Sequence, residues 1–482
     1  MSLHPSVFVA EYIMLHKLFN LNFIYLILIA AEIAAIIFLC VWLPAYIPVT
    51  AAVALFWVLS LAAGILAYFK GASPEISCSV ILMIIAFPIA GALVYLFSSF
   101  AKKRRGLLKV AGAEAQSGEE NTVRALCGTG GVGYDKAVYL KSGKEFYSLL
   151  FSEIERAKST VNLEYFIVHR GKVFSELLSA LRSAKRNGAE IKFIIDGIGS
   201  AFKLGRRELR LLRSAGAEVK VFHRIKPLFY TGLNNRDHRK IAVIDDKVAF
   251  TGGFNIGDEY ANIDSPFGYW KDSGVAVYGE AACVFGAMFL SVWNRDNERE
   301  IVGEGNRRCI PFYDSPPALS GVAENIYMSA ICSAQKRVHI LTPYFCAGEK
   351  INSALTLAAM RGVDVRIIIP HIPDKKYAFE LSRTCASKMS DSGIKFYEFT
   401  PGFMHAKCMV CDDKVYLGTY NFDFRSLRLN YECGVIFEGA VCDEAERDFS
   451  ECMRLSMPFQ PIKVKPFRSL YRFFLKLFAP LF

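Results

Sequence analysis

Two short stretches of this chain carry the same three polar residues at the same spacing. The first holds His238, Lys240 and Asp245, the second His405, Lys407 and Asp412. Each reads His-x-Lys, four residues, then Asp. Each runs on into a glycine turn and an asparagine: Gly252-Gly253-Phe254-Asn255 in the first, Gly418-Thr419-Tyr420-Asn421 in the second. The two histidines lie 167 residues apart, roughly one domain length, which points to a duplicated domain. Imidazoles near neutral pKa can attack phosphorus, or protonate a leaving alkoxide and activate an incoming hydroxyl. Lysines can hold phosphate oxygens and stabilise a pentacovalent transition state. Two such pairs brought together by a pseudo-twofold make a compact anion site, with no metal and no cofactor required.

Strand parity divides each stretch. Alternate residues share a face, so Asn234, Arg236, His238 and Lys240 form one polar row, with Ile241 and Val243 on the other side. Asp245 has opposite parity and precedes Asp246-Lys247, so it is expected to brace a turn. Asp412 stands the same way in the second copy. One His-x-Lys carries little information; two at the same place in a repeat carry much.

The elements needed to position these residues also repeat. In the first half a strand at 137–140 is followed by a helix at 143–157, a strand at 160–168 and a helix at 173–187. A strand at 190–196, a helix at 208–215 and a strand at 218–222 then precede the motif. In the second half come a helix at 317–334, a strand at 338–342, a helix at 350–361 and a strand at 363–369. A helix at 378–390 and a strand at 394–399 lead to the second motif. Strands separated by helices indicate an α/β fold, here two repeated α/β domains related by a pseudo-twofold. Their expected extents are 135–302 and 303–465, after a Gly-, Ala- and Glu-rich linker at 106–134. Asp245 precedes Gly252 by seven residues and Asp412 precedes Gly418 by six. The second hairpin is therefore one residue short, and a tightened turn at Asp413-Lys414 must absorb the difference if facing is to be kept.

The remaining composition speaks to location. Of the 482 residues, 53% are hydrophobic, and the excess sits within 1–105. Between Lys17 and Lys102 the only charged residues are Glu32, Lys70 and Glu75. Three apolar runs, at 23–43, 49–69 and 76–97, are each long enough to cross a hydrocarbon core of about 30 Å as a helix. Lys102-Lys103-Arg104-Arg105 follows, which by the positive-inside rule places the rest of the chain in the cytoplasm. The net charge of +11 suits phosphate-bearing partners, nucleic acid or an anionic membrane surface. In the tail at 466–482, Arg468, Arg472 and Lys476 recur every four residues among aromatics and leucines, as in a basic amphipathic helix lying on a membrane. The thirteen cysteines form no even framework and are expected to be reduced. Cys408 and Cys411 are spaced C-x-x-C, but on a strand they face opposite ways, so no metal site is expected.

The two motifs resemble those of the phospholipase D superfamily. Wider matches resemble bacterial cardiolipin synthases: Leu163-Glu164-Tyr165-Phe166-Ile167, Phe250-Thr251-Gly252-Gly253-Phe254-Asn255-Ile256-Gly257-Asp258-Glu259-Tyr260, Tyr269-Trp270-Lys271-Asp272, Thr342-Pro343-Tyr344-Phe345 and Asn421-Phe422-Asp423-Phe424-Arg425-Ser426. The resemblance covers nearly the whole chain. It implies two phospholipase D-like domains behind a transmembrane helical region. The implied enzyme is a multi-pass protein of the bacterial inner membrane that joins two phosphatidylglycerol molecules into cardiolipin and releases glycerol, through a phosphohistidine. It further implies a catalytic set of His238, Lys240, Asp245, His405, Lys407 and Asp412. His238 is taken as nucleophile and the lysines as phosphate clamps. Asn255 and Asn421, with Gly252 and Gly253, match phosphate-contacting positions. Asp272 and Glu432 match carboxylates on a following strand that orient each histidine. The expected partners are phosphatidylglycerol and anionic membrane lipids, not nucleic acid, and an oligomer is compatible with the sequence. A phospholipase D-type hydrolase, a phosphatidyltransferase using another head-group alcohol, a nucleic-acid phosphodiesterase and a non-catalytic lipid-binding scaffold are the alternatives.

Overall fold

The computed structural model describes residues 118–461, apart from 202, 224–234, 295–307 and 317–320, together with scattered residues between 34 and 85. The tail at 466–482 lies outside the described residues. So do the expected spans at 23–43, 49–69 and 76–97, save for isolated helical positions such as Phe38, Trp57 and Ile84. Among the described residues no helix is long and apolar enough to cross a membrane. The chain divides into two compact units, and both motifs belong to the one made of Lys102–Ile225 and Leu233–Ala479.

That unit opens with α1 (Gly118–Cys127) and β1 (Val132–Gly133), then β2 (Lys136–Leu140). Helix α2 (Gly143–Arg156) starts where the Ser142 side chain accepts from the Glu145 amide, and it buries Phe146, Leu150 and Ile154 at helical spacing. There follow β3 (Thr160–Tyr165), α3 (Lys172–Arg186), β4 (Glu190–Asp196), α4 (Arg206–Ser214) and β5 (Ala217–Phe222). The motif hairpin is β6 (Ile241–Ile244) and β7 (Val248–Gly252). Next come β8 (Tyr269–Lys271), β9 (Gly274–Tyr278) and α5 (Ala281–Trp293).

The second half repeats the order: β10 (Arg308–Asp314), α6 (Val322–Ser333), β11 (Arg337–Leu341), β12 (Phe345–Cys346), α7 (Glu349–Met360), β13 (Asp364–Pro370), α8 (Lys376–Met389) and β14 (Lys395–Phe399). Then come β15 (Gly402–Met404), the motif hairpin β16 (Cys408–Cys411) and β17 (Lys414–Gly418), β18 (Phe422–Asp423), α9 (Phe424–Arg428), β19 (Glu432–Glu438), α10 (Ala440–Arg454) and β20 (Ser456–Pro458).

The sheets show the duplication strand by strand. The first runs β2-β9-β7-β6-β3-β4-β5; the second runs β10-β19-β17-β16-β11-β13-β14, with β1 and β20 added at its edges. In each, three parallel strands adjoin an antiparallel motif hairpin. Strand parity sorts the core. Ala242 and Ile244 of β6 pack with Phe146, Leu150 and Leu177 of the covering helices. Ile241 and Val243 share one buried cluster with Leu417, Val435 and Phe437 of the second sheet. Each fully buried valine, leucine or isoleucine side chain contributes about 1.5–3 kcal/mol, so the repeats are joined by a continuous core rather than a polar contact.

The linker expected at 106–134 requires correction over 118–133. Helix α1 packs on the second repeat, and β1 pairs antiparallel with β10, Val132 opposite Cys309. Glu120 is buried there and accepts from the Gly131 amide and the Arg308 guanidinium, both at 2.7 Å. The Gly- and Glu-rich composition that suggests a linker is local; the buried partner of Glu120 is remote in sequence.

Candidate active site

Neither motif histidine lies on its own sheet. Strand β6 starts at Ile241 and β16 at Cys408, so His238–Lys240 and His405–Lys407 are extended lead-ins that the opposite repeat holds. The His238 amide donates to the Tyr431 carbonyl at 3.0 Å, and the His405 amide donates to the Lys271 carbonyl at 2.7 Å. The residue after each acceptor is a carboxylate. Glu432 accepts from His238 Nδ1 at 2.9 and 3.0 Å, and Asp272 accepts from His405 Nδ1 at 2.5 Å. The pairing is thus crossed. Each histidine is oriented by the other repeat, whereas the sequence suggested the strand following its own motif.

The polar row inferred from parity also changes. Asn234 lies outside the described residues. Arg236 is buried and spent on Asp196 at 3.2 Å and on the His223 carbonyl at 3.1 Å. Between the functional pair, Arg239 points the other way, fully buried, with Glu164 at 2.6 Å and Asp237 at 3.4 Å, over the ring of Tyr431 at 5.6 Å. A buried pair of this kind fixes the extended segment that carries His238 and Lys240 on its other face.

The two carboxylates sit in different surroundings. Glu432 also accepts from Thr419 Oγ1 and Ser426 Oγ, both at 2.5 Å, and from Asn430 Nδ2 at 3.3 Å. Asp272 accepts from the Ser273 amide at 2.9 Å and from Trp270 Nε1 at 3.4 Å. Gly253 makes room for it, because a Cβ there would run into Asp272 Oδ1. Thr419 occupies the corresponding place in the second copy and turns its hydroxyl to Glu432. Burial pushes Glu432 up to about 7 against the charge of Lys240 and its hydrogen bonds. Burial also opposes ionisation of Asp272, but His405 and Lys407 outweigh it and hold the carboxyl below its ordinary value.

The histidines and lysines are tuned together. Burial lowers His238 well below the usual imidazole value, helped by the charges of Lys240, Lys407, Lys375 and Arg425. Burial and Lys407 lower His405 to about 4. Burial brings Lys240 to about 8 and Lys407, beside Lys240, to about 7. Lys240 Nζ donates to the His238 carbonyl at 2.6 Å, and Lys407 Nζ donates likewise to the His405 carbonyl. Phe166 stands edge-on to His238 at 4.9 Å, while Trp270 and Tyr260 lie 4.8 and 5.6 Å from the His405 ring. With Nδ1 bonded to a carboxylate, each neutral imidazole keeps Nε2 as its basic nitrogen. The site therefore offers two neutral bases and two lysines in a water-poor setting, suited to nucleophilic substitution at a phosphodiester.

The remaining sequence candidates separate by position. Asp245 accepts from the amides of Lys158, Ser159 and Thr160 at 2.9, 2.7 and 2.8 Å; Asp412 accepts from those of Gln335, Lys336 and Arg337 at 2.8, 2.8 and 3.0 Å. Both carboxylates thus fasten the loop entering a neighbouring parallel strand. Asn255 is also committed elsewhere: Oδ1 accepts from the Ile167 amide at 3.0 Å, and Nδ2 donates to the Tyr260 hydroxyl at 2.8 Å. Asn421 is buried beside Asp423, and its Oδ1 has no hydrogen-bond partner. Gly252 and Gly418 sit opposite Gly274 and Gly434, where close backbones leave no space for a Cβ. The short second hairpin is resolved at its turn. Ile244 pairs with Val248 across three residues, and Cys411 with Lys414 across two. At the site end Ile241 faces Thr251 just as Cys408 faces Leu417, so the facing of the second motif is kept. Sequence reasoning missed Thr419, Ser426 and Asn430; the change from Gly253 to Thr419 between the copies was the available signal.

Residues 150–265 and 327–453 match the family described as cardiolipin synthase, PLD-like domain. A cardiolipin synthase of Alkalihalophilus pseudofirmus is 33% identical over 408 residues, covering 77% of this chain and 80% of that protein. One of Geobacillus kaustophilus is 34% identical over 352 residues, 68% of each chain. An uncharacterized protein of Streptococcus mutans is 40% identical over 335 residues, 67% of this chain and 72% of that one. Among solved structures, the phosphatidylserine synthase of Haemophilus influenzae Rd KW20 shares the fold with a TM-score of 0.57 at 14% identity, over 75% of this chain and 97% of that one. With the crossed histidine pair inside the matched regions, the chain belongs to the cardiolipin synthase family of phospholipase D-like phosphatidyltransferases.

Proposed function

We propose that this enzyme makes cardiolipin from two molecules of phosphatidylglycerol, with a phosphatidyl group carried on a histidine. The observation that carries this reading is the crossed arrangement: two neutral imidazoles, each fixed at Nδ1 by a carboxylate of the other repeat, with Lys240 and Lys407 beside them. In the first step Nε2 of one histidine attacks the donor phosphorus. An N–P bond forms, and the P–O bond to the glycerol head group breaks. The other histidine takes up a proton as the phosphodiester anion enters beside it, and gives that proton to the departing oxygen. In the second step that same histidine takes the proton from a head-group hydroxyl of the second phosphatidylglycerol. The hydroxyl oxygen bonds phosphorus, and the N–P bond breaks. The products are cardiolipin and glycerol, and both histidines return to their starting state.

Location supports the reading. The apolar runs within 1–105 and the basic amphipathic tail at 466–482 would bring the two repeats, 135–302 and 303–465, to a lipid surface from the cytoplasmic side of a bacterial inner membrane. The full chain is to be incubated with phosphatidylglycerol vesicles and the lipids and glycerol measured. Cardiolipin and glycerol in equal amounts are expected, and both are lost in His238→Ala and in His405→Ala. Phosphatidic acid without cardiolipin would establish a hydrolase instead.

A further inference from the structure

The two crossed histidines are backed by buried ion pairs of different make. Behind His238 the pair is Arg239 with Glu164, and the arginine stands on the histidine's own lead-in. Counted from the histidines and from the starts of β3 and β11, the corresponding residues of the second repeat are Ala406 and Leu341, which carry no charge. Behind His405 the cation stands instead on the strand that receives the histidine. Lys271 immediately precedes Asp272, and its carbonyl accepts from the His405 amide at 2.7 Å. Its ammonium is buried and meets Asp448 of α10, also buried, at 2.7 Å.

An ammonium has three donors, and all three of Lys271 have fixed acceptors. They reach Asp448 Oδ2 at 2.7 Å, the Lys141 carbonyl at 2.8 Å and the Asp272 carbonyl at 3.1 Å. The Tyr139 hydroxyl donates to the same Asp448 oxygen at 2.7 Å. Burial opposes the charge on Lys271, but Asp448 outweighs it and holds the amine above its ordinary value. The side chain of Lys271 thus fixes the carbonyl of Asp272, while its main chain fixes the amide of His405. Both partners of the Asp272–His405 hydrogen bond are tied to one residue.

The fold alone does not require this pair. Gly274 and Gly434 hold equivalent places in the two repeats, opposite Gly252 and Gly418. Counted from them, the counterparts of Lys271 and Asp448 are Tyr431 and Met288. Burying two charges carries a desolvation penalty, and apolar side chains of similar volume pack as well or better. We propose that Lys271 and Asp448 are positioning residues for the reaction. Asp448, reaching across from the second repeat, pins the Lys271 ammonium, and Lys271 sets the Asp272 carboxylate and the His405 imidazole in line. The inference rests on the phosphodiester chemistry proposed above.

The test separates position from stability. Full-length protein is assayed for glycerol release from phosphatidylglycerol vesicles, with kcat and KM resolved and the melting temperature measured alongside. Lys271→Met and Asp448→Leu are each expected to lower kcat by about 10–100-fold with KM little changed, and to lower the melting temperature. The double variant replaces the pair by apolar side chains. It is expected to regain most of the melting temperature while kcat stays down by about tenfold or more. A double variant whose kcat returns to within about twofold of wild type overturns the inference, because the pair would then serve the fold alone. Lys271→Gln keeps a hydrogen bond for Asp448 but lacks the third donor needed to hold both carbonyls. It carries the test if the double variant does not fold, and a wild-type kcat in Lys271→Gln overturns the inference equally. Wild-type protein that releases glycerol and makes phosphatidic acid in place of cardiolipin overturns the proposed function and leaves the positioning role to be decided by the same variants. Wild-type protein that releases no glycerol overturns both.

Discussion

Glu432, in the second repeat, bonds His238 of the first through both of its carboxylate oxygens, at 2.9 and 3.0 Å. Asp272 reciprocates by bonding His405 of the second at 2.5 Å. The histidine geometry therefore depends on the docking of the two repeats.

Replacing either carboxylate by its amide should leave lipid binding nearly intact and lower kcat. Glu432→Gln and Asp272→Asn are each expected to reduce turnover by roughly 10²–10⁴-fold, since a misoriented imidazole in the wrong tautomer is a poor base. Gly253→Ala should have the same kinetic signature, because its methyl group displaces Asp272. Steady-state rates on vesicles, with kcat and KM separated, check this; a change confined to KM would count against it.

Asp245→Ala and Asp412→Ala should behave quite differently. Each carboxylate serves three backbone amides at the mouth of a strand. Their loss is expected to cost about 1–3 kcal/mol of stability, with turnover per folded molecule within a few-fold of wild type. Thermal melts beside active-site titration separate the two effects. Against burial, the amides hold both carboxyls below the ordinary aspartate value. Their stabilisation is thus present above the unfolded pKa and lost as pH falls through the folded one.

The pH profile of kcat/KM should be limited on its alkaline side by the lysines. Burial places Lys240 at about 8 and Lys407 at about 7, against 10.5 for a free lysine. Gripping phosphate requires the charged form, so activity is expected to decline as pH rises through that range. The histidines remain neutral in acid, His405 down to about 4. For stability the sign is opposite. Between the folded and unfolded lysine pKa values the unfolded chain binds more protons, so the lysine contribution to stability rises with pH. Lys407→Met should therefore abolish turnover while raising the melting temperature more at pH 7 than at pH 9.

Glu164→Ala should be among the most destabilising single changes at the site. It leaves the Arg239 guanidinium, wholly buried, without its partner at 2.6 Å. About 3–5 kcal/mol is expected. Urea unfolding measures it, and activity should fall with it because Arg239 lies between His238 and Lys240.

The repeated polar residues were the most legible part of the sequence. His238, Lys240, His405 and Lys407 stand out because their spacing repeats, and the alternation of strands and helices gives both α/β units. Parity also indicated that Asp245 and Asp412 brace rather than react. The crossing of Asp272 and Glu432 was hidden, because distance along the chain says nothing about which repeat a strand end will face. The partners of Asn255 were hidden for a related reason: an amide suited to phosphate suits a backbone amide and a tyrosine hydroxyl equally well. Helix α5, Ala281–Trp293, is apolar on nearly every side, so no periodicity announces it. The mistaken linker came from composition, which does not register that a single glutamate has an arginine waiting far downstream.

That glutamate belongs to a segment with a consequence for biogenesis. Strand β1 is synthesised before any of the first repeat, yet its partner β10 begins the second. During translation it must stay unpaired until a whole domain has emerged, and long-range pairing of this kind is slow. Once made, it laces the start of the unit into its far half, so a proteolytic nick between the repeats would leave them tied.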